Sequence, residues 1–193
     1  MRIVAGEFRG RPIAAPKGRS TRPTADRVRE GLFSALTSRL GSDLGGGTVL
    51  DAFAGSGALG LEALSRGALR ATFVEKSRSA ARALRANVAS LSVRDRTAIV
   101  DGDVRVAAKR GRLPGAPFSL LFLDPPYRIE QSEVRAVIEA LLCTESLAEG
   151  AIVVWEHDAN DSTQWPSWIE QSFELTYGTT RIDAGVYARG DAT

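Results

Sequence analysis

The sequence of 193 residues holds one cysteine, Cys143, and one histidine, His157. A disulfide framework, a Cys/His zinc site, a Cys-His dyad and a Ser-His-Asp triad therefore cannot be assembled within one chain. Chemistry, if there is any, must come from carboxylates, backbone groups or a cofactor, and no metal is expected. Cys143 reads as a small apolar residue near a helix end, and His157, just after an apolar run, as a loop or strand-end residue. Long apolar stretches are missing too. The longest, "GAIVVW", falls far short of the roughly 20 residues that span a bilayer, and the opening "MRIVAGEFRGRPIAAPKG" has no apolar signal core. A cytoplasmic protein with no membrane partner is expected. With 44% hydrophobic and 25% charged residues, the chain suits one well-buried domain with a small appendage.

Net charge is small, at +2, but the charges are unevenly spread. Residues 1–30 carry eight basic and three acidic side chains, a net of +5, which leaves the remainder at −3. An arm that faces nucleic acid on a near-neutral body has this asymmetry, and so does a solvated basic surface.

The apolar runs "RIVAG" and "GRPIAAP" around the turn-like "EFRG" predict an N-terminal hairpin. Val28, Leu32, Phe33, Leu36 and Leu40 then fall on one stripe of a helix over residues 25–40, with Thr24 placed as its N-cap and Asp26 in its first turn. The chain thus divides into a basic hairpin extension, residues 1–23, and a main domain, residues 24–193, entered through that helix. From "TVLDAF" onward, strand-like runs ("ATFVE", "TAIVDG", "SLLFLD", "GAIVVWE") alternate with helical ones ("GALGLEALSRG", "SRSAARALRANVASL", "VRVAAKRG" and residues 131–142). Such alternation predicts an α/β fold, a mostly parallel sheet with helices on both faces. The tail, "FELTYGTTRIDAGVYAR", has two β-rich runs and no helix between them, so an antiparallel hairpin should complete a sheet of seven strands.

The turn after the first main strand reads "VLDAFAGSGALGLEAL", with Gly55, Gly57 and Gly60 in the G-x-G-x-x-G spacing of an adenosine-cofactor loop. Gly55 and Gly57 let the backbone approach a ligand, and Gly60 lets the helix pack closely on the strand. That spacing alone does not choose between a nicotinamide dinucleotide and another cofactor. Asp51, four residues before Gly55, would repel a pyrophosphate but suits S-adenosylmethionine, which has no phosphate and carries an ammonium and a sulfonium. Glu75, at the end of the second strand, is placed to accept from ribose hydroxyls, and Asp103 in "VDGDV", with Asp101 as its competitor, to reach the adenine amine. Capping of the following helices is the plainer role for such acids, and it fits Asp103 better than Asp51. Phe53, Lys76 and Val104 adjoin these acids and complete the expected cofactor crevice.

A second motif, "LLFLDPPY", delivers Asp124 to the same sheet edge, followed by Pro125, Pro126 and Tyr127. A rigid turn would also read this way. Placed at the end of the fourth strand, however, the motif resembles that of the S-adenosylmethionine-dependent amino-methyltransferases, an acid or amide followed by Pro-Pro and an aromatic residue. The resemblance implies that the Asp124 carboxylate and the Pro125 carbonyl accept the N–H groups of an exocyclic base amine while Tyr127 stacks on the base. Asp124 would also border the cofactor. Such a base must leave its stack to be reached.

"RIVAGEFRGR", "RPTADRVREGLFSAL" and "DAFAGSGALGLEALSRGA", with "LFLDPPY", are similar to the bacterial 16S ribosomal RNA guanine-N2 methyltransferases of the RsmD type, over nearly the whole chain. That resemblance implies a Rossmann-like class I methyltransferase fold, S-adenosylmethionine as cofactor, and methylation of one guanine of 16S ribosomal RNA in the small ribosomal subunit by a monomer. It makes Arg22, Thr24 and Arg29 candidates to touch the methionine part or the RNA. The basic residues Arg9, Arg11, Lys17 and Arg19 join Arg22 as candidate RNA contacts. The alternatives are a DNA or RNA adenine/cytosine amino-methyltransferase, a non-catalytic ribosome-assembly factor, and a nicotinamide-dependent oxidoreductase, for which no proton donor is evident.

Overall fold

A computed structural model of the chain describes residues 1–15, 23–40, 44, 46–126 and 128–189, without the side chains of 23–25, 39 and 40. Five helices and seven strands alternate in it. They are α1 (Pro23–Leu40), β1 (Thr48–Asp51), α2 (Ala58–Ser65), β2 (Arg70–Glu75), α3 (Arg78–Leu91), β3 (Thr97–Asp101) and α4 (Val104–Arg110), then β4 (Phe118–Leu123), α5 (Gln131–Cys143), β5 (Leu147–Asp158), β6 (Ile169–Tyr177) and β7 (Thr180–Tyr187). Among the described residues no helix is long and apolar enough to cross a membrane.

The strands form one sheet in the order β3-β2-β1-β4-β5-β7-β6. Strands β1 to β5 are parallel, and β7 runs antiparallel between β5 and β6. The order reverses between β1 and β4, and at such a switch point the loops leaving the two strands diverge and open a crevice at their carboxyl ends.

Alternation along β4 divides the core in two. Leu120 and Phe122 face one cluster with Leu32, Phe33 and Leu36 of α1, Leu61 and Leu64 of α2, and Leu84 and Val88 of α3. Leu121 and Leu123 face the other, with Val104 of α4 and Val134, Val137, Ile138 and Leu141 of α5. A period of two in the strand and 3.6 in the helices produces this division without further instruction.

The N-terminal segment is less regular than expected. It has an isolated antiparallel bridge, Arg2 with Pro12, supported by Ile3 N–H to the Arg11 carbonyl at 3.0 Å and Gly10 N–H to the Ile3 carbonyl at 2.9 Å. Its apolar residues Ile3, Phe8 and Ile13 are buried in the cluster shared with α1, α2 and α3. We propose that residues 1–23 are an extension of the main domain, to which the described residues 1–15 are fastened. α1 begins at Pro23 and not after Thr24, so Thr24 is inside the helix and not its N-cap. Proline suits a first helical position, because its missing N–H would have no partner there.

Candidate functional site

Three carboxylates converge on the carboxyl edge of the sheet. Asp51 ends β1, paired in register with Phe73 on one side and Phe122 on the other. Glu75 and Asp124 each come two residues beyond those partners, about 7 Å further along their strands. They flank Asp51 on both sides of the switch point. The Asp51 side chain is 2% exposed, and its Oδ2 accepts from Gly60 N–H at 3.0 Å. Burial, with the charges of Asp124 and Glu75, pushes its carboxyl up to about 7 against the single lowering hydrogen bond from Gly60.

Gly60 is the third residue of α2, so Asp51 caps that helix, a role the sequence made less expected for it than for Asp103. The consequence for ligand choice is direct. A dinucleotide's pyrophosphate would need the N-terminus of α2, where a carboxylate already sits. A ligand that presents an ammonium or a sulfonium, and no phosphate, would be attracted by the three acids.

Glu75 holds the glycine loop from the other side. Its Oε2 accepts from Gly55 N–H at 2.7 Å and its Oε1 from Ser77 N–H at 2.5 Å. Each oxygen keeps a further lone-pair direction, so a ribose hydroxyl can still donate to this carboxylate. Gly57 has φ +85°, and a Cβ there would lie 2.4 Å from Leu84 Cδ1. At Gly60 a Cβ would meet Phe73 Cε1 at 2.4 Å, which is the close approach of helix to strand that the spacing predicts. Gly55 differs from both. It has φ +55°, and no atom lies within 4 Å of the place a Cβ would take. The loop is thus packed on its sheet side at Gly57 and Gly60 and open on its outer side at Gly55.

The remaining expected cofactor residues vary in availability. Phe53 is half-buried, packed against the α4/α5 cluster, and Val104 is buried in it. Asp103 is the N-cap of α4, accepting from Arg105 N–H at 3.0 Å, and it is paired with Arg105 at 2.6 Å and Lys76 at 3.0 Å. Arg105, and with it Lys76, holds the Asp103 carboxyl well below the usual carboxylate range. Asp101, its competitor, is paired with Arg85. Asp124 is partly buried, as is Pro125, whereas Pro126 is exposed and its carbonyl accepts from Ile129 N–H at 2.9 Å. On the next strand Leu123 pairs with Trp155, which sets Glu156 level with Asp124. Tyr127, Lys17, Arg19 and Arg22 and the side chain of Thr24 lie outside the described residues.

Arg29, unlike the other basic residues named from the sequence that are described with side chains, is buried. Its side chain is 4% exposed and lies between the hairpin and α2, donating to the Arg2 carbonyl and to Asp26 and approaching Glu62 at 3.4 Å. A guanidinium so enclosed fastens the N-terminal segment to α1 and α2. Arg9 and Arg11, by contrast, are exposed, and Arg11 reaches the Ser90 carbonyl at the end of α3.

Two polar groups that hold the site together had no signal in the sequence. Glu62, fully buried, accepts from Val4 N–H at 2.8 Å, Ala5 N–H at 3.0 Å and Arg66 at 2.8 Å. Asn87 of α3 accepts from Ala14 N–H at 2.8 Å and donates to the carbonyls of Ala14 and, at 2.9 Å, of Ser56 in the glycine loop. His157 is buried against Asp183 at 2.9 Å and Thr163 at 2.7 Å, and so ties β5 to β7 and to the loop before β6.

The seven-stranded order with its antiparallel end hairpin, and an acid-lined crevice at the switch point, define a class I S-adenosylmethionine-dependent methyltransferase fold. The chain belongs to the family described as "Conserved hypothetical protein 95", whose model matches residues 1–185. Ribosomal RNA small subunit methyltransferase D of Escherichia coli (strain K12) is 35% identical to it over 161 residues, covering 83% of this chain and 76% of that protein. The protein of the same name from Haemophilus influenzae is 33% identical, covering 83% and 80%. Among solved structures, yhhF from Escherichia coli superposes with a TM-score of 0.82 at 31% identity, covering 97% of this chain and 98% of that one.

Proposed function

We propose that this protein is a ribosomal RNA methyltransferase that moves a methyl group from S-adenosylmethionine to the exocyclic N2 of a guanine in 16S ribosomal RNA. It acts as a cytoplasmic monomer on the assembled small subunit. The observation that carries the cofactor is the crevice of Asp51, Glu75 and Asp124, which suits a cation and opposes a pyrophosphate. The named relatives supply the RNA.

When bound, the cofactor supplies an electrophilic methyl group on a sulfonium. Asp51 would hold its ammonium end, Glu75 its ribose, and the open side of the loop at Gly55 would lie against it. Asp103, Lys76, Phe53 and Val104 would line the adenosine end. The Asp124 carboxylate and the Pro125 carbonyl accept the two N–H groups of the guanine amine. Its lone pair is otherwise delocalised into the ring, and these bonds favour a pyramidal, electron-rich nitrogen. Tyr127 stacks on the base and keeps the nitrogen in line with the methyl group.

The test is to incubate the protein with methyl-labelled S-adenosylmethionine and small subunits that lack the modification, digest the RNA and identify the labelled nucleoside by mass spectrometry. N2-methylguanosine is the expected product. Label in adenine or cytosine would keep the mechanism and change the target, and no label on subunits or naked RNA would refute the activity. In the same assay Asp124→Ala should lower transfer by about a hundredfold or more while cofactor affinity stays within a few-fold, because this residue acts on the nucleophile.

A further inference from the structure

The outward face of α3 carries one sign of charge. Its 14 residues, "RSAARALRANVASL", include three arginines and no acid. Leu84, Val88 and Leu91 turn inward to the core, and Arg78, Arg82 and Arg85 are all exposed. Their i, i+4, i+7 spacing puts them on one stripe. Only Arg85 of the three is ion-paired among the described residues, with Asp101. A solvated helix face ordinarily mixes signs, as α5 does across the sheet with Glu133, Arg135 and Glu139, the last two paired at 2.9 Å.

The placement of this stripe suggests its use. The C-terminal end of α3 is where the N-terminal segment docks, through Arg11 on the Ser90 carbonyl and Asn87 on Ala14. Its N-terminal end follows Glu75, at the edge of the crevice. From Ser90 back to Arg78 the helix spans about 18 Å at 1.5 Å per residue. Exposed Arg11 touches one end of the helix, exposed Arg82 and Arg78 lie along it, and exposed Lys76, paired with Asp103, follows Glu75 at the other end, so basic residues mark both ends and the length of α3.

We propose that this face of α3 is a phosphate-binding track along which the RNA backbone runs from the hairpin to the crevice. The inference rests on the RNA-methyltransferase reading above and adds to it a binding surface outside the N-terminal segment. The chemistry required is a polyanion with regularly spaced charges. Guanidinium groups on a helix meet such a backbone with no main chain left to order and without reading sequence.

The experiment compares wild-type full-length protein with Arg78→Gln/Arg82→Gln and with Arg78→Lys/Arg82→Lys, on small subunits and on naked 16S RNA. The glutamine variant should raise KM for both substrates about tenfold, leave kcat at saturation within twofold, and leave S-adenosylmethionine affinity by calorimetry within twofold. The slope of log affinity against log salt should fall by roughly 0.7–0.9 for each phosphate that is no longer neutralised, and the lysine variant should restore most of it. An unchanged KM and salt slope for the glutamine variant, beside an active wild type, would overturn the track. So would a weakening confined to subunits with naked RNA unaffected, which would mean that the face meets a protein. An inactive wild type would instead overturn the methyltransferase reading itself.

Discussion

Asp51, which caps the first turn of α2 from the end of β1, and Glu62, inside that helix, are both buried carboxylates, and they are built for opposite purposes. Glu62 is enclosed by donors, two backbone N–H groups and the guanidiniums of Arg66 and Arg29. Asp51 has one backbone donor and two other acids for neighbours. A buried charge whose partners are complete fastens parts of the fold, here the N-terminal segment, α1 and α2. One whose partners are incomplete is strained until a cation arrives, which is what a binding group for a sulfonium-ammonium cofactor requires. Burial does not distinguish the two; the count of donors does.

The largest effect should come from the completed site. Glu62→Gln removes the buried charge that meets Val4 N–H, Ala5 N–H and Arg66, leaves Arg29 with Asp26 as its remaining ion-pair partner among the described residues, and turns an amide NH2 toward a set of donors, so it should cost about 3 kcal/mol of unfolding free energy. Chemical denaturation at pH 7 measures it. A loss below about 1 kcal/mol, the range of an exposed ion pair, would mean that the cluster is no fastener and would break the comparison.

This difference also separates what the sequence reveals from what it hides. The alternation of strands and helices, the antiparallel end hairpin, the close approach of α2 to the sheet at Gly60 and the acids at three strand ends all follow from local patterns, a period of two, a period of 3.6 and glycine spacing. The Glu62 site depends on residues 57 and 58 positions away, and the Asn87 link between Ala14 and Ser56 on residues 73 and 31 positions away. No periodicity announces such pairings. The burial of Arg29 is hidden for the same reason, since an arginine in a basic segment looks solvent-facing until its links to the Arg2 carbonyl and Glu62 are known. Asp103 carries its capping signal locally, one residue before α4, and the structure has it there.

Asp51 should then show the electrostatic side of the comparison. Its carboxyl titrates near 3.8 when unfolded and near 7 when folded. Between those values the folded state keeps a proton that the unfolded state has released, so this residue's contribution to stability falls as pH rises, and the loss is complete above about 7. Asp51→Asn has no proton to lose. It should be more stable than wild type at pH 8, with the slope between pH 4 and 7 reduced by up to about 1.4 kcal/mol per unit. Cofactor affinity should move the other way, rising with pH through about 7 in wild type and weakened roughly 10- to 100-fold in the variant at pH 8, as befits the removal of a bond to a charged group. Thermal unfolding and calorimetry across pH read both. A variant that binds the cofactor as wild type does would refute the role given to Asp51.

The smallest effect belongs to Asp103, an acid that lies beyond the end of β3, two strands out from Asp51, and whose charge is already met by Arg105 and Lys76. Asparagine caps helices as well as aspartate does, and exposed ion pairs contribute little, so Asp103→Asn should lower stability by less than about 1 kcal/mol at pH 7. Its pH sense is the reverse of Asp51's. The carboxyl is held below its unfolded value, so its contribution is present above about 3.8 and is lost on acidification. Because asparagine keeps a carbonyl oxygen for an adenine amine and Asp103 has no unmet charge to offer, cofactor affinity should change only a few-fold. A cofactor loss as large as that of Asp51→Asn would show that charge at this strand end is also reserved for the ligand, and that counting donors is not enough to tell a fastener from a binding group.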